Sequence, residues 1–305
     1  MRIVSLLPST TEIAFALGLG DHVVAVTHEC DYPPEARQRP VITSSALDHH
    51  NATSAEIDAA VRGQLRDGIS IYDLNTALLE ELQPDLVLTQ ALCDVCAVSF
   101  GVVERAVAEV SAAPRILSLE PTDLEGVFGS ILAVGHATGR RARAAELVAQ
   151  LRARVERVRE RAARVTSRPR VAYLEWLDPP FGPGHWLPEL IELAGGSTGF
   201  GAPGEPSRRV AWSEVVAFAP EVMVLAPCGF DLERTVSEAL AVLPQRPGWE
   251  TLPAVRSGRV FAVDANSYFS RPGPRVVDSL ELLARLVHPD LFAGWGPLGA
   301  ARPLH

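Results

Sequence analysis

The four cysteines are the residues of this sequence best suited to chemistry, and each of them follows an apolar segment. Cys30 comes after VVAVTH, Cys93 and Cys96 come after DLVLTQ, and Cys228 comes after EVMVLAP. Thiolates are good ligands of zinc and of iron–sulfur clusters, and a metal takes its ligands from several directions. If the turns that carry these cysteines meet, the pattern predicts a bound zinc ion or an iron–sulfur cluster.

Two other interpretations of the cysteines stay open. Cysteine is a small apolar residue that is commonly buried and inert, so packing in the interior would also explain it. Cys93 and Cys96 could instead form a redox dithiol at the start of a helix, where the helix dipole lowers the pKa of a thiol. The carboxylate of Asp94 opposes thiolate formation, and no thioredoxin-like pattern surrounds the pair.

The segments before the cysteines are predicted to be strands of parallel sheets. They are short, nearly continuous apolar runs, which is the pattern of strands covered on both faces by helices. The predicted strands are 3–7, 23–28, 85–90, 115–121, 170–176, 221–227 and 259–265. A last helix is expected over 274–287, followed by a tail rich in glycine and proline. Alternating strands and helices of this kind indicate an α/β fold.

One long helix is predicted over 139–165, because this stretch has neither proline nor internal glycine. Leu147, Leu151, Val155 and Val158 are three or four residues apart and form its apolar face. Its many arginines are interpreted as a solvated face. The expected architecture has two Rossmann-like lobes, 1–138 and 167–305, joined by a rigid linker helix over 139–166, with a ligand cleft between the lobes.

The turns after the strands are expected to line this cleft, since ligands bind beyond the carboxyl ends of parallel strands. Thr10 and Thr11 could hold an anion or cap a helix, Arg271 could bind an anionic group, and Trp176 could serve as core or as ligand platform. His28 and His185 are interpreted as solvated loop residues. The predicted ligand-binding residues are Thr10, Thr11, Tyr32, Trp176, Trp186, Cys228, Tyr268, Phe269 and Arg271.

Charge and hydropathy exclude several classes of protein. Acidic residues outnumber basic ones by 37 to 28, a net charge of −9, which does not suit nucleic-acid binding. No apolar run approaches the roughly 20 residues that a membrane-spanning helix needs. Pro8 and Glu12 interrupt the apolar N-terminus, so a signal peptide is not predicted, and a cytoplasmic location is expected if the start codon is correct.

Several motifs resemble a known family. The opening RIVSLLPSTTEIAFALGLGDHVVAVTHECDYPPEA is similar to that of substrate-binding proteins of cobalamin and iron–siderophore ABC importers. DPPFGPGHWLPELIELAGG, VAWSEVVAFAPEVMVL and YFSRPGPR are similar to the same family in the same order, and the long helix is typical of its helical-backbone class. Cobalamin-binding proteins are the nearest branch by this resemblance.

The resemblance implies a protein that captures cobalamin or a related metal chelate in its cleft without catalysis. Tyr32, Trp186, Tyr268 and Phe269 would cover the apolar surface of the ligand, and the four cysteines would contact its metal-bearing region. It also implies an ABC permease as partner, but the chain departs from the family in an extra segment (residues 48–74) and at the start of the helix before PDLV. Members that dock on a permease tend to carry an acidic residue there, whereas this chain reads Asn75-Thr76-Ala77.

Three functions are therefore weighed. The first is a non-enzymatic binding protein for cobalamin or a related chelate. The second is a cytoplasmic metalloprotein that holds zinc or an iron–sulfur cluster through Cys30, Cys93, Cys96 and Cys228. The third is a dithiol redox enzyme.

Overall fold

The computed structural model describes residues 1–45, 52–66, 70–92 and 98–304. The chain forms two compact units. The first consists of Met1–Ala52, Glu56–Pro121 and Gly126–Ala149, and the second of Thr53–Ala55, Thr122–Glu125 and Gln150–His305. The lobe and linker boundaries expected from the sequence stay a prediction.

The first unit contains a parallel sheet of four strands in the order β2-β1-β5-β6 and a separate antiparallel pair, β3-β4. Ile3, Val4, Val87 and Leu88 of the central strands are fully buried, as expected for strands covered on both faces. The strands are β1 Ile3–Ser5, β2 Val23–Ala25, β3 Thr43–Ser45, β4 Tyr72–Leu74, β5 Leu86–Thr89 and β6 Arg115–Ser118.

Among the described residues, three α-helices belong wholly to the first unit, and three more have residues in both units. The former are α1 Pro8–Ala16, α3 Thr76–Leu82 and α4 Phe100–Ala108; the latter are α2 Ser54–Arg66, α5 Leu124–Ala137 and α6 Arg141–Ala162. The prediction that Thr10 caps α1 is wrong. The helix already begins at Pro8, whose fixed φ suits the first helical position, and Leu7 precedes it without a side-chain cap.

The second unit contains a sheet in the order β10-β7-β11-β12-β13 and a short antiparallel pair, β8-β9. Strands β10, β7, β11 and β12 are parallel, whereas β13 is antiparallel to β12. The strands are β7 Arg170–Leu174, β8 Trp176–Leu177, β9 Pro180–Phe181, β10 Ser197–Thr198, β11 Val222–Leu225, β12 Val260–Val263 and β13 Ala301–Pro303. The prediction of an α/β fold with mainly parallel sheets is confirmed.

The remaining helices also belong to the second unit. They are α7 Leu187–Leu193, α8 Trp212–Phe218, α9 Leu232–Val242, α10 Pro253–Arg256 and α11 Val276–Val287. None of the helices in the described part of the chain is long and apolar enough to cross a membrane.

Helix α6 is the predicted long helix, with 22 residues. Leu151 and Val158 of its predicted apolar face are buried, and Leu147 and Val155 are half-buried. The prediction that the arginines of this helix form a solvated face is wrong for two of them. Arg161 donates through Nε to the carbonyl of Leu291, and Arg154 forms ion pairs with helix α11.

Arg154 is held by two carboxylates of α11. Its Nε donates to Glu281 Oε1 over 2.9 Å, and its Nη2 donates to Asp278 Oδ1 over 2.5 Å and to Glu281 Oε2 over 2.8 Å. Burial lowers the pKa of Arg154, but the hydrogen bonds to Glu281 and Asp278 outweigh it and raise the pKa overall. The guanidinium therefore stays charged and ties α6 to α11 within the second unit.

Replacing Arg154 with methionine keeps an apolar stem but leaves Asp278 and Glu281 without their counter-charge. We expect the free energy of unfolding to fall by about 2 kcal/mol, because removing one partner of a half-buried ion pair leaves the charge of the other uncompensated. Denaturant unfolding followed by circular dichroism measures this. The control is Arg157→Met at an exposed position of the same helix, which should change stability by less than about 0.5 kcal/mol; equal losses would contradict the prediction.

Candidate functional site

A buried polar cluster lies at the carboxyl end of β1 in the first unit. Ser5 Oγ is 2.6 Å from Thr10 Oγ1 and accepts a hydrogen bond from Thr11 Oγ1 over 2.8 Å. Thr11 Oγ1 and Thr27 Oγ1 each lie 3.1 Å from the sulfur of Cys30. All five residues are buried. The predicted residues Thr10, Thr11 and Cys30 are therefore brought together, but their polar atoms are engaged with one another.

A small pocket lies beside this cluster. His28 Nδ1 is 2.9 Å from Thr43 Oγ1, and the His28 ring centroid is 5.7 Å from that of Tyr72. Partial desolvation lowers the pKa of His28, and its hydrogen bond with Thr43 offsets part of this effect. The pocket is lined by Leu6, Pro8, Thr27, His28, Glu29, Thr43, Tyr72 and Val98.

Sequence reasoning missed Thr43 and Tyr72 as neighbours of His28. They belong to β3 and β4, whose pairing brings them to this pocket from positions 29 residues apart in the chain. Each strand is only three residues long, which is too short for a pattern of apolar residues to signal it. Tyr32, predicted to contact a ligand, lies in the loop after Cys30 and is 44% exposed.

The carboxyl ends of β7, β11 and β12 collect the predicted residues of the second unit. The backbone N–H of Cys228 donates to the carbonyl of Glu175 over 3.1 Å, and that of Asn266 donates to the carbonyl of Phe230 over 2.9 Å. These bonds connect the turn after β11 with the turns after β7 and β12. Trp176, Cys228, Tyr268, Phe269 and Arg271 are thus placed along one edge of the sheet.

Trp176 is half-buried and fixed at two points. Its ring lies edge-on to Phe230, with centroids 5.3 Å apart and planes inclined by 67°. Its Nε1 donates to the carbonyl of Ser54 over 3.1 Å. Arg234 stacks on Phe230, with the guanidinium carbon 3.6 Å from the ring centroid.

Trp186 is 7% exposed, and its Nε1 finds no hydrogen-bond partner among the described residues. The ring of His185 is stacked against it with centroids 5.9 Å apart, and burial lowers the pKa of His185. The position just before His185 and Trp186 requires a glycine, because a Cβ on Gly184 would lie 2.2 Å from the backbone nitrogen of Ser207. A buried donor without an acceptor costs free energy, so this indole is well suited to a ligand that supplies one.

The segment after β12 contributes three predicted residues in different ways. The ring of Tyr268 lies 5.3 Å from the guanidinium carbon of Arg275. Arg271 is 4% exposed, and its Nη2 donates to Asn266 Oδ1 over 3.0 Å. Phe269 is only 1% exposed and packs on Tyr173, so it has little surface to offer a ligand.

The cysteines are divided between the two units. Cys30 is buried in the first unit, Cys228 is exposed in the second, and Cys93 and Cys96 lie outside the described residues. Within the described ranges, no three His, Cys, Asp or Glu side chains are grouped so that they could hold a metal ion. The predicted zinc ion or iron–sulfur cluster therefore has no support from the described residues.

Comparisons with known proteins give matches along nearly the whole chain. The family model described as periplasmic binding protein matches residues 3–267. The vitamin B12-binding protein of Vibrio cholerae is 26% identical over 285 residues, which cover 92% of this chain and 86% of that protein. The uncharacterized ABC transporter substrate-binding lipoprotein YvrC of Bacillus subtilis is 25% identical over 304 residues, covering 95% of this chain and 81% of that protein.

A solved structure has the same fold. The periplasmic heme-binding protein RhuT from Roseiflexus sp. RS-1 in its apo form superposes with a TM-score of 0.70 at 25% identity. The superposition covers 95% of this chain and 98% of that chain.

The two described cysteines differ in exposure, and this difference predicts a difference in reactivity. Cys228 should be alkylated by N-ethylmaleimide at least about tenfold faster than Cys30, because the buried thiol reacts only after local opening. Brief labelling followed by peptide mass spectrometry measures each site separately. Urea-unfolded protein is the control, in which both should react alike; equal rates in the native protein would contradict the burial of Cys30.

Proposed function

Because this chain belongs to the periplasmic binding protein family, we propose that it captures cobalamin or a closely related metal chelate. The family consists of binding proteins, as the sequence analysis predicted, and the interpretation as a dithiol redox enzyme is not supported. The observation that carries the proposal is the similarity to vitamin B12-binding proteins over 92% of the chain.

The described residues have the chemistry that such a ligand requires. A corrinoid has a wide apolar ring system with amide groups around its rim, so it needs aromatic surfaces and hydrogen-bonding groups at the edges of the site. Tyr32 in the first unit is exposed, and Trp176 and Tyr268 in the second unit are half-buried. The N–H of Trp186, for which the described residues supply no acceptor, is the candidate donor to an amide oxygen of the ligand. Arg271 is the candidate for an anionic group, such as a phosphate.

We also propose an ABC permease as the partner that receives the ligand. The name of the relative YvrC, a substrate-binding lipoprotein of an ABC transporter, supports this proposal. The turn Asn75-Thr76-Ala77 has no acidic residue for docking, and Asn75 caps helix α3 by accepting a hydrogen bond from the N–H of Leu78 over 3.0 Å. An asparagine is as good a helix cap as an aspartate but lacks its charge, so docking would rely on other acidic residues.

Delivery to an importer requires a location outside the cytoplasmic membrane. The name of the relative YvrC as a lipoprotein favours the outer location. Fractionation of cells that express the protein from its own locus, followed by immunoblotting, is expected to find it outside the cytoplasm. A wholly cytoplasmic protein would contradict the proposed delivery and leave the proposed capture untouched.

Titration of the purified protein with cyanocobalamin tests the proposed capture, and we expect a Kd of about 1 μM or tighter. Trp186→Phe keeps the aromatic ring and removes the N–H, so the affinity should fall by about tenfold, the effect of one lost hydrogen bond. The control is Trp212→Phe, since Trp212 donates to the carbonyl of Pro247 over 2.8 Å and packs on the core of the second unit. Its cyanocobalamin affinity should be unchanged.

Parallel titrations with hemin and with a ferric siderophore decide the identity of the ligand. Binding of either one without cyanocobalamin would overturn the proposed ligand within the same family. Metal and sulfide analysis of protein purified without oxygen tests the second hypothesis. A brown protein that contains iron and sulfide would favour the cluster held by the four cysteines.

A further inference from the structure

Ser54, the first residue of helix α2 and part of the extra segment, belongs to the second unit. Thr53–Ala55 belong to the second unit, and Ser54 is fully buried there. Glu238 Oε1 accepts hydrogen bonds from the N–H of Ser54 over 2.8 Å and from its hydroxyl. A carboxylate at the start of a helix is favourable, because it satisfies a free N–H and interacts with the positive end of the helix dipole.

The carbonyl of Ser54 then fixes an aromatic side chain. It accepts the hydrogen bond from Trp176 Nε1 over 3.1 Å. Ser54 is therefore held through its N–H and hydroxyl by Glu238 while its carbonyl holds the indole. The position of Glu238 determines where the acceptor for Trp176 lies.

Helix α9, which carries Glu238, also supports the ring of Trp176. Phe230 contacts this ring edge-on at 5.3 Å, and Arg234 covers Phe230 at 3.6 Å. Arg234 and Glu238 are four residues apart on α9 and so lie on one face of the helix. Two residues of α9 are thus linked to the indole. Arg234 packs on Phe230, which contacts the ring, and Glu238 binds Ser54, whose carbonyl accepts from the indole N–H.

We propose that Glu238 is a positioning residue for the ligand, which acts through Ser54 by fixing the orientation of Trp176. This inference rests on the proposed function, in which Trp176 contacts the bound chelate. It gives the extra segment a role in binding, since its Ser54 completes the support of a ligand-contacting side chain. An indole that is already oriented loses little conformational entropy when the ligand arrives, and affinity rises for that reason.

The first experiment tests the orientation of Trp176 without any ligand. Protein labelled with 15N at its five tryptophans should give an indole N–H signal for each, and Trp176→Phe identifies the signal of Trp176. Glu238→Ala should shift or broaden this signal and leave those of Trp212 and Trp249 in place. Glu238→Gln should restore it, because the amide oxygen can still accept from Ser54. An unchanged signal in Glu238→Ala would overturn the proposal.

The second experiment is a double-mutant cycle on cyanocobalamin affinity with Glu238→Ala and Trp176→Phe. Glu238→Ala alone should weaken binding by about fivefold, the size of a typical coupling between contacting residues, and should have no further effect in Trp176→Phe protein. Glu250→Ala is the control, an exposed glutamate of the second unit, and should bind like the wild type. Equal losses from Glu238→Ala in both backgrounds would mean a general structural role and would overturn the proposal.

The two failures are distinguishable. If the wild type binds none of the tested chelates, the proposed function fails and the affinity role of Glu238 fails with it. If the wild type binds cyanocobalamin and Trp176→Phe lowers the affinity while Glu238→Ala does not, the proposed function stands and the positioning role is overturned. Melting temperatures of all variants within a few degrees of the wild type ensure that the folded protein is being compared.

Discussion

Parallel pairing of β7, β11 and β12 is the constraint on which the candidate site of the second unit depends. Parallel strands end on the same side of a sheet, so the turns that follow them must share one edge. The bonds from Cys228 to Glu175 and from Asn266 to Phe230 continue this arrangement beyond the strands. Residues that are 53 and 36 positions apart in the chain become neighbours, and their side chains need only short turns to reach the same place.

The first unit uses the corresponding edge differently. The hydroxyls of Thr11 and Thr27 surround the sulfur of Cys30, and Ser5 connects Thr10 with Thr11. Buried polar groups that satisfy one another make a stiff cluster, because any displacement leaves a donor or acceptor unpaired. The pocket around His28 is built against this stiff cluster. In the second unit, by contrast, the indole N–H of Trp186 is buried without an acceptor in the described part of the chain.

Sequence patterns predicted the elements well and the contacts between them poorly. The continuous apolar runs around Val87, Val224 and Ala262 gave the parallel strands, and the spacing of Leu151 and Val158 gave the long helix. These patterns are local, and burial on both faces leaves a clear mark in them. The contact of Trp176 with Ser54, 122 positions away, leaves no such mark. The hydroxyl groups around Cys30 leave no such mark either, because threonine is also common at helix ends and in turns.

Strand β13 is one of several short strands that the sequence patterns did not predict, and it contains Pro303. It pairs antiparallel with β12, so Phe261 lies opposite Pro303 in the sheet. Without it, β12 would present a row of free N–H and C=O groups, the kind of edge on which another chain can add a strand. Proline has no N–H to offer a further strand. Residues Ala301–Pro303 thus cover the edge of β12, and the strand that replaces this edge carries a proline in place of one donor.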